Sequence, residues 1–593
     1  SASILICGLL AVLWAPVIAA VLVAWTLIAR REILELPGLC ARGAAQLRSR
    51  SVHGAYAVAG IGVLVIVAVV LIMQAIAPPA DWDSLMYHLQ VPQHFLQEGR
   101  IYVPVDNLHV AYVGLVHMLY VPLLALGSPA SPAILSVFFA LLLGLAVFSL
   151  AARFFGGATA SISLMTVWAT TGILLVAITP RLDVTLALYL FLAHYALLVA
   201  LSEPSRRPYF YLAAFLLGSA IGVKYSALAY ILALSPLILW VAFASGHSLR
   251  ELPKPLTLFG LLLLAAALPW LAKNWLLLQA PLYPFFSARM LPPWLASFYG
   301  SSVIPAGFDP EALRALANAR LPFNLVDLFM APGRLTVEQE GVHYHMNLLY
   351  LLLPLSVLFV KNRVFSWLVI PAVGYLALIL VPFPATNLRY LIPAFAPLTI
   401  VAAHIADRLS HRALSASAAR LLLISLAALS LFPSAKAMRF WLSKSDVLGY
   451  LAGVTSQNQY LETGFHLYSQ LVQATNTLVP RDGKVLMLFE ARGYYFKPQV
   501  IQDNAITNWA LLALKVTEDG SCLEGTNITH ILLNDLAVRY YVSRGTNPQT
   551  LGINAFPDFT RRCLTLLLRS RGFIIFSLKS ESGGSADPIR EPE

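Results

Sequence analysis

The sequence predicts a polytopic α-helical membrane protein of about 12 spans. It also predicts re-entrant or interfacial helices in the first outer loop and a small soluble α/β domain at the C-terminus. Three observations carry this reading. Hydrophobic residues fill 59% of the 593 positions and charged ones only 12%, against about 45–50% and about 25% in soluble domains. The apolar residues fall in separate runs, each near the roughly 20 residues that cross about 30 Å of hydrocarbon. Beyond Lys436 the chain turns polar, and strand-like and helix-like segments alternate. A soluble enzyme, a single anchor and an outer-membrane barrel are excluded, the last because barrel strands are short and alternating. Forty Lys and Arg against 29 Asp and Glu give a net charge of +11, which in such a chain points to basic cytoplasmic loops. Nucleic acid is not an expected partner, because no basic cluster alternates with exposed aromatics.

The first apolar run, Ile4–Ala29, is too long and lacks the basic leader of a cleavable signal, and the sequence opens at Ser1 without Met. It is read as a span added before the core, and residues 1–54 comprise it and a basic loop. The core, 55–435, then holds spans at Ala55–Ile76, Pro132–Leu150, Ala158–Ile178, Val184–Leu201, Phe210–Val223 and Ser226–Phe243. Leu256–Leu276, Met346–Val360, Val364–Val381, Leu388–Ile405 and Leu421–Leu431 follow. Alternate loops separate by charge. Arg30, Arg31, Arg42, Arg48, Arg50, Arg153, Arg206, Arg207, Arg250, Lys254, Lys361, Arg363, Arg408, Arg412 and Arg420 fall on one side; Arg100, Arg181, Lys224 and Arg389 stand isolated on the other. The first side is therefore cytoplasmic, and both termini face outward.

Two outer loops are long, 78–131 and 279–345. The first contains the apolar run Leu108–Leu126, read as interfacial or re-entrant because a crossing there would invert every later loop. The second is rich in Pro and aromatics, as a loop covering a site would be. Residues 436–579 read as helix Asn458–Leu478, strand Lys484–Phe489, helix Thr507–Val516, strand Thr529–Asn534, helix Phe559–Ser570 and strand Phe573–Leu578. Cys522 and Cys563 in that region either pair, in an oxidising compartment, or remain buried thiols. Residues 580–593 are expected to be a disordered tail.

In a chain so poor in charge, ionisable groups at the outer boundary are candidate functional residues. Asp81-Trp82-Asp83-Ser84-Leu85-Met86-Tyr87-His88 follows the second span. Its two carboxylates point differently on a helix, so one faces a site while the other caps the turn, with Asp81, Asp83 and Ser84 all eligible as the cap. Asp183 returns to the same face, as a site residue, a cap, or a partner of Arg181. Lys224 closes Gly218-Ser219-Ala220-Ile221-Gly222-Val223, whose glycines permit close helix approach, and Arg389-Tyr390 opens a later span. Either cation could instead serve as a lipid-headgroup contact. Carboxylates and isolated cations around one outer cavity suit a reaction that deprotonates a hydroxyl and expels a phosphate. His88, His94, His109 and His117 show no metal-site spacing, and His343 and His345 have no paired acid.

These motifs resemble the GT-C superfamily of polytopic glycosyltransferases, especially bacterial protein O-mannosyltransferases and lipid A aminoarabinose transferases of the family 39 type. The family's first outer loop carries an acidic motif, often Asp-Glu, with a Tyr three residues on. Here Asp83 and Tyr87 match, Ser84 replaces the Glu, and Asp81 is the candidate substitute. The resemblance continues through Asp183, the Gly-x-x-x-Gly-x-Lys run ending at Lys224, and Arg389-Tyr390 with Pro393. It implies transfer of a sugar from a polyprenyl-phosphate carrier to a lipid, glycan or protein acceptor at the outer face of a bacterial inner membrane. It makes Asp83 the general base, assigns Lys224 and Arg389 to the departing phosphate, and gives Asp183 the acceptor or a divalent cation. Two other readings stand beside it. A structural subunit of a membrane complex accounts for Ser84, and a secondary transporter accounts for the span count but would place polar sites at mid-membrane.

Overall fold

The structure, a computed structural model, describes residues 1–49, 55–102, 112–203, 207–244, 251–283, 338–339, 342–343, 347–381, 388–413, 416–444, 446–503, 508–543 and 552–579. Among them, six helices are long and apolar enough to cross a membrane: Ser131–Phe154, Asp183–Ser202, Ala227–Ala244, Pro253–Leu278, Arg363–Leu380 and Arg389–Ser410. Their outward positions carry exposed Phe138, Leu145, Leu239, Leu261 and Leu264, which is the surface hydrocarbon solvates. The segment expected as one helix is a pair, Gly157–Trp168 and Thr171–Ala177, bent by 63°, the geometry of a broken span or a re-entrant loop. Hydroxyl groups fill the bend. Thr170 Oγ1 donates to the Thr166 carbonyl at 2.8 Å, and Ser434 Oγ donates to the Ala169 carbonyl at 2.9 Å.

Charges assigned to the basic side also meet. Arg153 pairs with Glu203, and Thr159 Oγ1 donates to Asp407 at 2.8 Å. Both contacts lie at the ends of helices 131–154, 183–202 and 392–413 opposite to Asp183 and Arg389.

Three expected elements are corrected. The run Ile4–Ala29 is not one span but two helices, Ala2–Leu9 and Ala15–Ile28. Between them Ala11 takes φ 58°, Leu13 N–H donates to the Gly99 carbonyl and Ile101 N–H to the Gly8 carbonyl, both at 2.9 Å. The break is thus tied to the first outer loop, and the remaining 14 residues rise only about 21 Å. Met346–Val360 is realised as a 3-10 helix, Leu348–Phe359, capped by the Asn347 side chain. Leu421–Leu431 is the middle of a 29-residue helix, Ala416–Lys444. Within the Leu108–Leu126 run the described residues, 112–126, hold a nine-residue helix, His117–Ala125, about 13 Å long and too short to cross by itself. Most of the second outer loop, residues 103–111 and residues 580–593 lie outside the described residues.

The C-terminal region forms a five-stranded sheet in the order Gln499–Ile501, Lys484–Leu488, His530–Leu533, Phe573–Leu578, Leu564–Ser570. Lys484–Leu488 pairs in parallel with both neighbours and the last two strands pair antiparallel. Its run Val485–Leu488 is buried on both faces, as a central parallel strand requires. Helix Gln457–Leu478 covers the sheet and starts on a Ser456/Gln459 capping box. The expected helix Phe559–Ser570 is wrong in its second half. The helix stops at Cys563, and Leu564–Ser570 is an edge strand of a hairpin whose two-residue turn is Arg571-Gly572, with Gly572 at φ 111°. That turn, which demands a residue free to adopt positive φ, decides against the helical propensity of the leucines.

Candidate active site

The site is assembled at one common end of the membrane-length helices. Pro78 and Pro79 end the second apolar helix, and the chain turns through Asp81 into a π-helix, Ser84–His88. Asp81 caps that turn, its carboxylate accepting Ser84 N–H at 3.3 Å. The same carboxylate accepts Arg181 Nε at 3.1 Å, and Asp83 lies 3.8 Å from that nitrogen. Asp83 also pairs with Arg389. Burial pushes the Asp83 carboxyl up, but the guanidinium groups of Arg389 and Arg181 outweigh it and hold the group well below the usual carboxylate range.

Asp183 begins its helix and pairs with Lys224 Nζ at 2.7 Å rather than with Arg181. Lys224 follows the last turn of helix Pro208–Val223, and the glycines before it set its position. A Cβ on Gly218 would stand 2.0 Å from the Leu263 carbonyl oxygen, and one on Gly222 2.3 Å from the Trp270 ring. Helix Pro253–Leu278 can therefore pack here only against bare backbone. Lys224 Nζ also lies 4.2 Å from the centre of the Tyr390 ring, and Arg389 donates to the Tyr390 hydroxyl at 3.2 Å. The Tyr375 hydroxyl fixes Tyr390 by donating to its backbone carbonyl at 2.7 Å.

Asp81, Asp83, Asp183, Lys224, Arg389 and Tyr390 thus converge. Tyr87 and His88 border them, their rings 4.0 Å apart. Burial raises the Tyr87 hydroxyl pKa, and burial with the neighbouring His117 lowers that of His88. His88 Nδ1 and His117 Nε2 are hydrogen-bonded at 2.9 Å, with either ring able to donate. Sequence reasoning placed Arg181 only as a partner of Asp183 and missed that it serves two other carboxylates. It also gave no role to His117, or to Lys273, which is buried and donates to the Tyr112 carbonyl at 2.6 Å.

Three cations face three carboxylates, Arg181, Lys224 and Arg389 against Asp81, Asp83 and Asp183. Among the described residues these charges balance. A divalent metal does not fit Asp81 and Asp83, because Arg181 stands between them. Among the described residues no group of three or more His, Cys, Asp and Glu is arranged to hold one.

No protein-family model matches the chain, and no curated protein matches it. Solved structures similar to it include ArnT from Cupriavidus metallidurans, at 14% identity over 90% of this chain and 100% of that one, with TM-score 0.49. The same enzyme bound to undecaprenyl phosphate gives 14%, 90%, 99% and 0.47. The archaeal oligosaccharyltransferase AglB from Archaeoglobus fulgidus, in complex with an inhibitory peptide and a dolichol-phosphate, gives 13%, 88%, 75% and 0.45.

Proposed function

We propose that this chain transfers a sugar from a polyprenyl-phosphate-linked donor to an acceptor hydroxyl at the outer face of a membrane. Asp83 takes the hydroxyl proton as the acceptor oxygen bonds to the anomeric carbon. The bond from that carbon to the phosphate oxygen breaks with inversion, and polyprenyl phosphate leaves. Arg389 and Lys224 balance its charge, Asp183 orients Lys224, and Arg181 aligns Asp81 with Asp83. The observation that carries the reading is the ion pair between Asp83 and Arg389. A carboxylate so held is a weak base, yet a phosphate that draws Arg389 away removes the largest pull on it. Donor binding and activation of the base are then one event. The exchange also supplies the cation that a neutral cluster otherwise lacks.

The Cys522–Cys563 disulfide supports an outward C-terminal region, because such pairs persist in oxidising compartments. The test is reconstitution of the full chain in proteoliposomes with a panel of polyprenyl-phosphate-linked hexoses and pentoses, scored by transfer to membrane lipid or peptide acceptors. Asp83→Asn is expected to lose roughly 10²–10⁴-fold in rate in a chain that still unfolds cooperatively, at a temperature lowered by the lost ion pairs. Wild-type transfer rates in that variant would remove Asp83 as the base.

A further inference from the structure

The acidic turn is gripped from outside the membrane helices. Leu85, two residues after Asp83, is fully buried and belongs to one apolar cluster with Tyr468, Leu471, Met487, Leu532 and Ile575 of the C-terminal region. Its carbonyl accepts N–H from Gly493 at 3.1 Å and from Tyr494 at 3.2 Å. The Met86 carbonyl accepts Gln502 Nε2 at 3.2 Å, and the Tyr495 hydroxyl donates to the Pro79 carbonyl at 2.8 Å. Trp82, the residue between the two carboxylates, carries the Arg492 guanidinium 4.6 Å over its ring. Arg492 is itself fixed. Glu490, fully buried, accepts Arg492 Nε at 2.9 Å and Nη2 at 2.8 Å, together with Asn534 Nδ2 at 3.0 Å.

We propose that Arg492, Trp82 and Leu85 are positioning residues, so that the C-terminal sheet sets the direction in which Asp83 points. Successive side chains of a helical turn point in different directions. Holding Trp82 against Arg492 and Leu85 in the sheet's apolar core therefore fixes the rotation that turns Asp83 toward Arg389. Misplacement of a reacting group by about 1 Å costs on the order of 100-fold in rate. The proposal rests on the transferase reading for its kinetic readout alone.

Two measurements on the full chain test it: hydrogen exchange of peptides covering 81–88, and transfer kinetics in proteoliposomes. Trp82→Leu leaves the Glu490–Arg492 pair intact and replaces a side chain that is 37% exposed, so it spares the fold where Arg492→Ala would strand Glu490. Trp82→Leu is expected to speed exchange across 81–88 about tenfold, leave strands 484–488 and 530–533 unchanged, and lower kcat at least tenfold. Donor KM should stay within twofold, and Trp82→Phe, which keeps a ring for Arg492, should restore both readouts. Unchanged exchange at 81–88 in Trp82→Leu overturns the grip whatever the activity. Faster exchange with wild-type kcat overturns its role in positioning. A wild-type chain that transfers no sugar from any donor overturns the transferase reading instead, and the exchange data then decide the grip alone.

Discussion

Asp83 shows how one side chain acquires two requirements. Burial alone would favour its neutral acid, whereas Arg389 and Arg181 favour the carboxylate, and the cations prevail. Its pKa in the folded chain therefore lies below the unfolded value of about 3.9. The sign follows from linkage: the stabilisation is complete above the unfolded value and is lost as pH falls through the folded one. Transfer by the wild-type chain should accordingly show no carboxylate limb between pH 8 and pH 5. In Arg389→Gln the main opposing pull is gone and desolvation remains, so an acid limb in kcat/KM should appear at higher pH than in the wild type, with donor KM raised about tenfold or more. A pH–rate profile of the two proteins checks this, and coincident acid limbs would contradict the coupling of Arg389 to Asp83. Asp83 and Arg389 were legible in the sequence because isolated charges stand out in an apolar chain. Their mutual pairing was not, since 306 residues separate them and only the packed helices bring them together.

Helices that the apolar pattern marked with long, uninterrupted runs are present at nearly the expected bounds, as at Arg363–Leu380 against an expected Val364–Val381. The misses have local causes that hydropathy cannot register. Backbone ties to Gly99 and Ile101 break the first run, hydroxyls bend the pair at Thr170, and the Arg571-Gly572 turn makes a strand of a leucine-rich segment. The glycine run before Lys224 was read as permitting close approach, and Gly218 and Gly222 do meet Leu263 and Trp270. Overpacking at such a contact costs about 1–3 kcal/mol. Gly222→Val should therefore lower the unfolding temperature in detergent and, by moving Lys224 off Asp183, cost more in transfer rate than in stability. Gly260→Ala, on the facing helix with open space at its Cβ, should change neither. Equal effects at the two positions, measured by thermal unfolding and transfer rate, would remove packing as the explanation.

At the scale of the whole molecule, the sidedness inferred from basic loops and the sidedness implied by thiol chemistry are independent and can be set against each other. Positive-inside counting used only the sorting of Lys and Arg. The Cys522–Cys563 bond, closing 41 residues of chain between the helix Asn508–Asp519 and the strand Leu564–Ser570, depends on the redox state of the space around the sheet. The sequence left this pairing open, because spacing alone does not set two sulfurs side by side; the fold of 522 against 563 does, with Cα atoms 5.3 Å apart. If the sheet lies outside the cytoplasm, non-reducing peptide mapping of the chain from its native membrane should recover the linked Cys522 and Cys563 peptides. Membrane-impermeant maleimide should label neither cysteine before reduction and both after reduction and unfolding. Cys522→Ser should lower the stability of the sheet by about 2–4 kcal/mol, the range for a loop of this size, and loosen 81–88 with it, since Leu85 packs on a second apolar cluster of the same sheet. Two free thiols in freshly prepared membranes would place the sheet in a reducing compartment. Asp83 would then face the cytoplasm with the basic loops on the opposite side, and both the outer-face assignment of the cluster and the positive-inside sorting would have to be inverted.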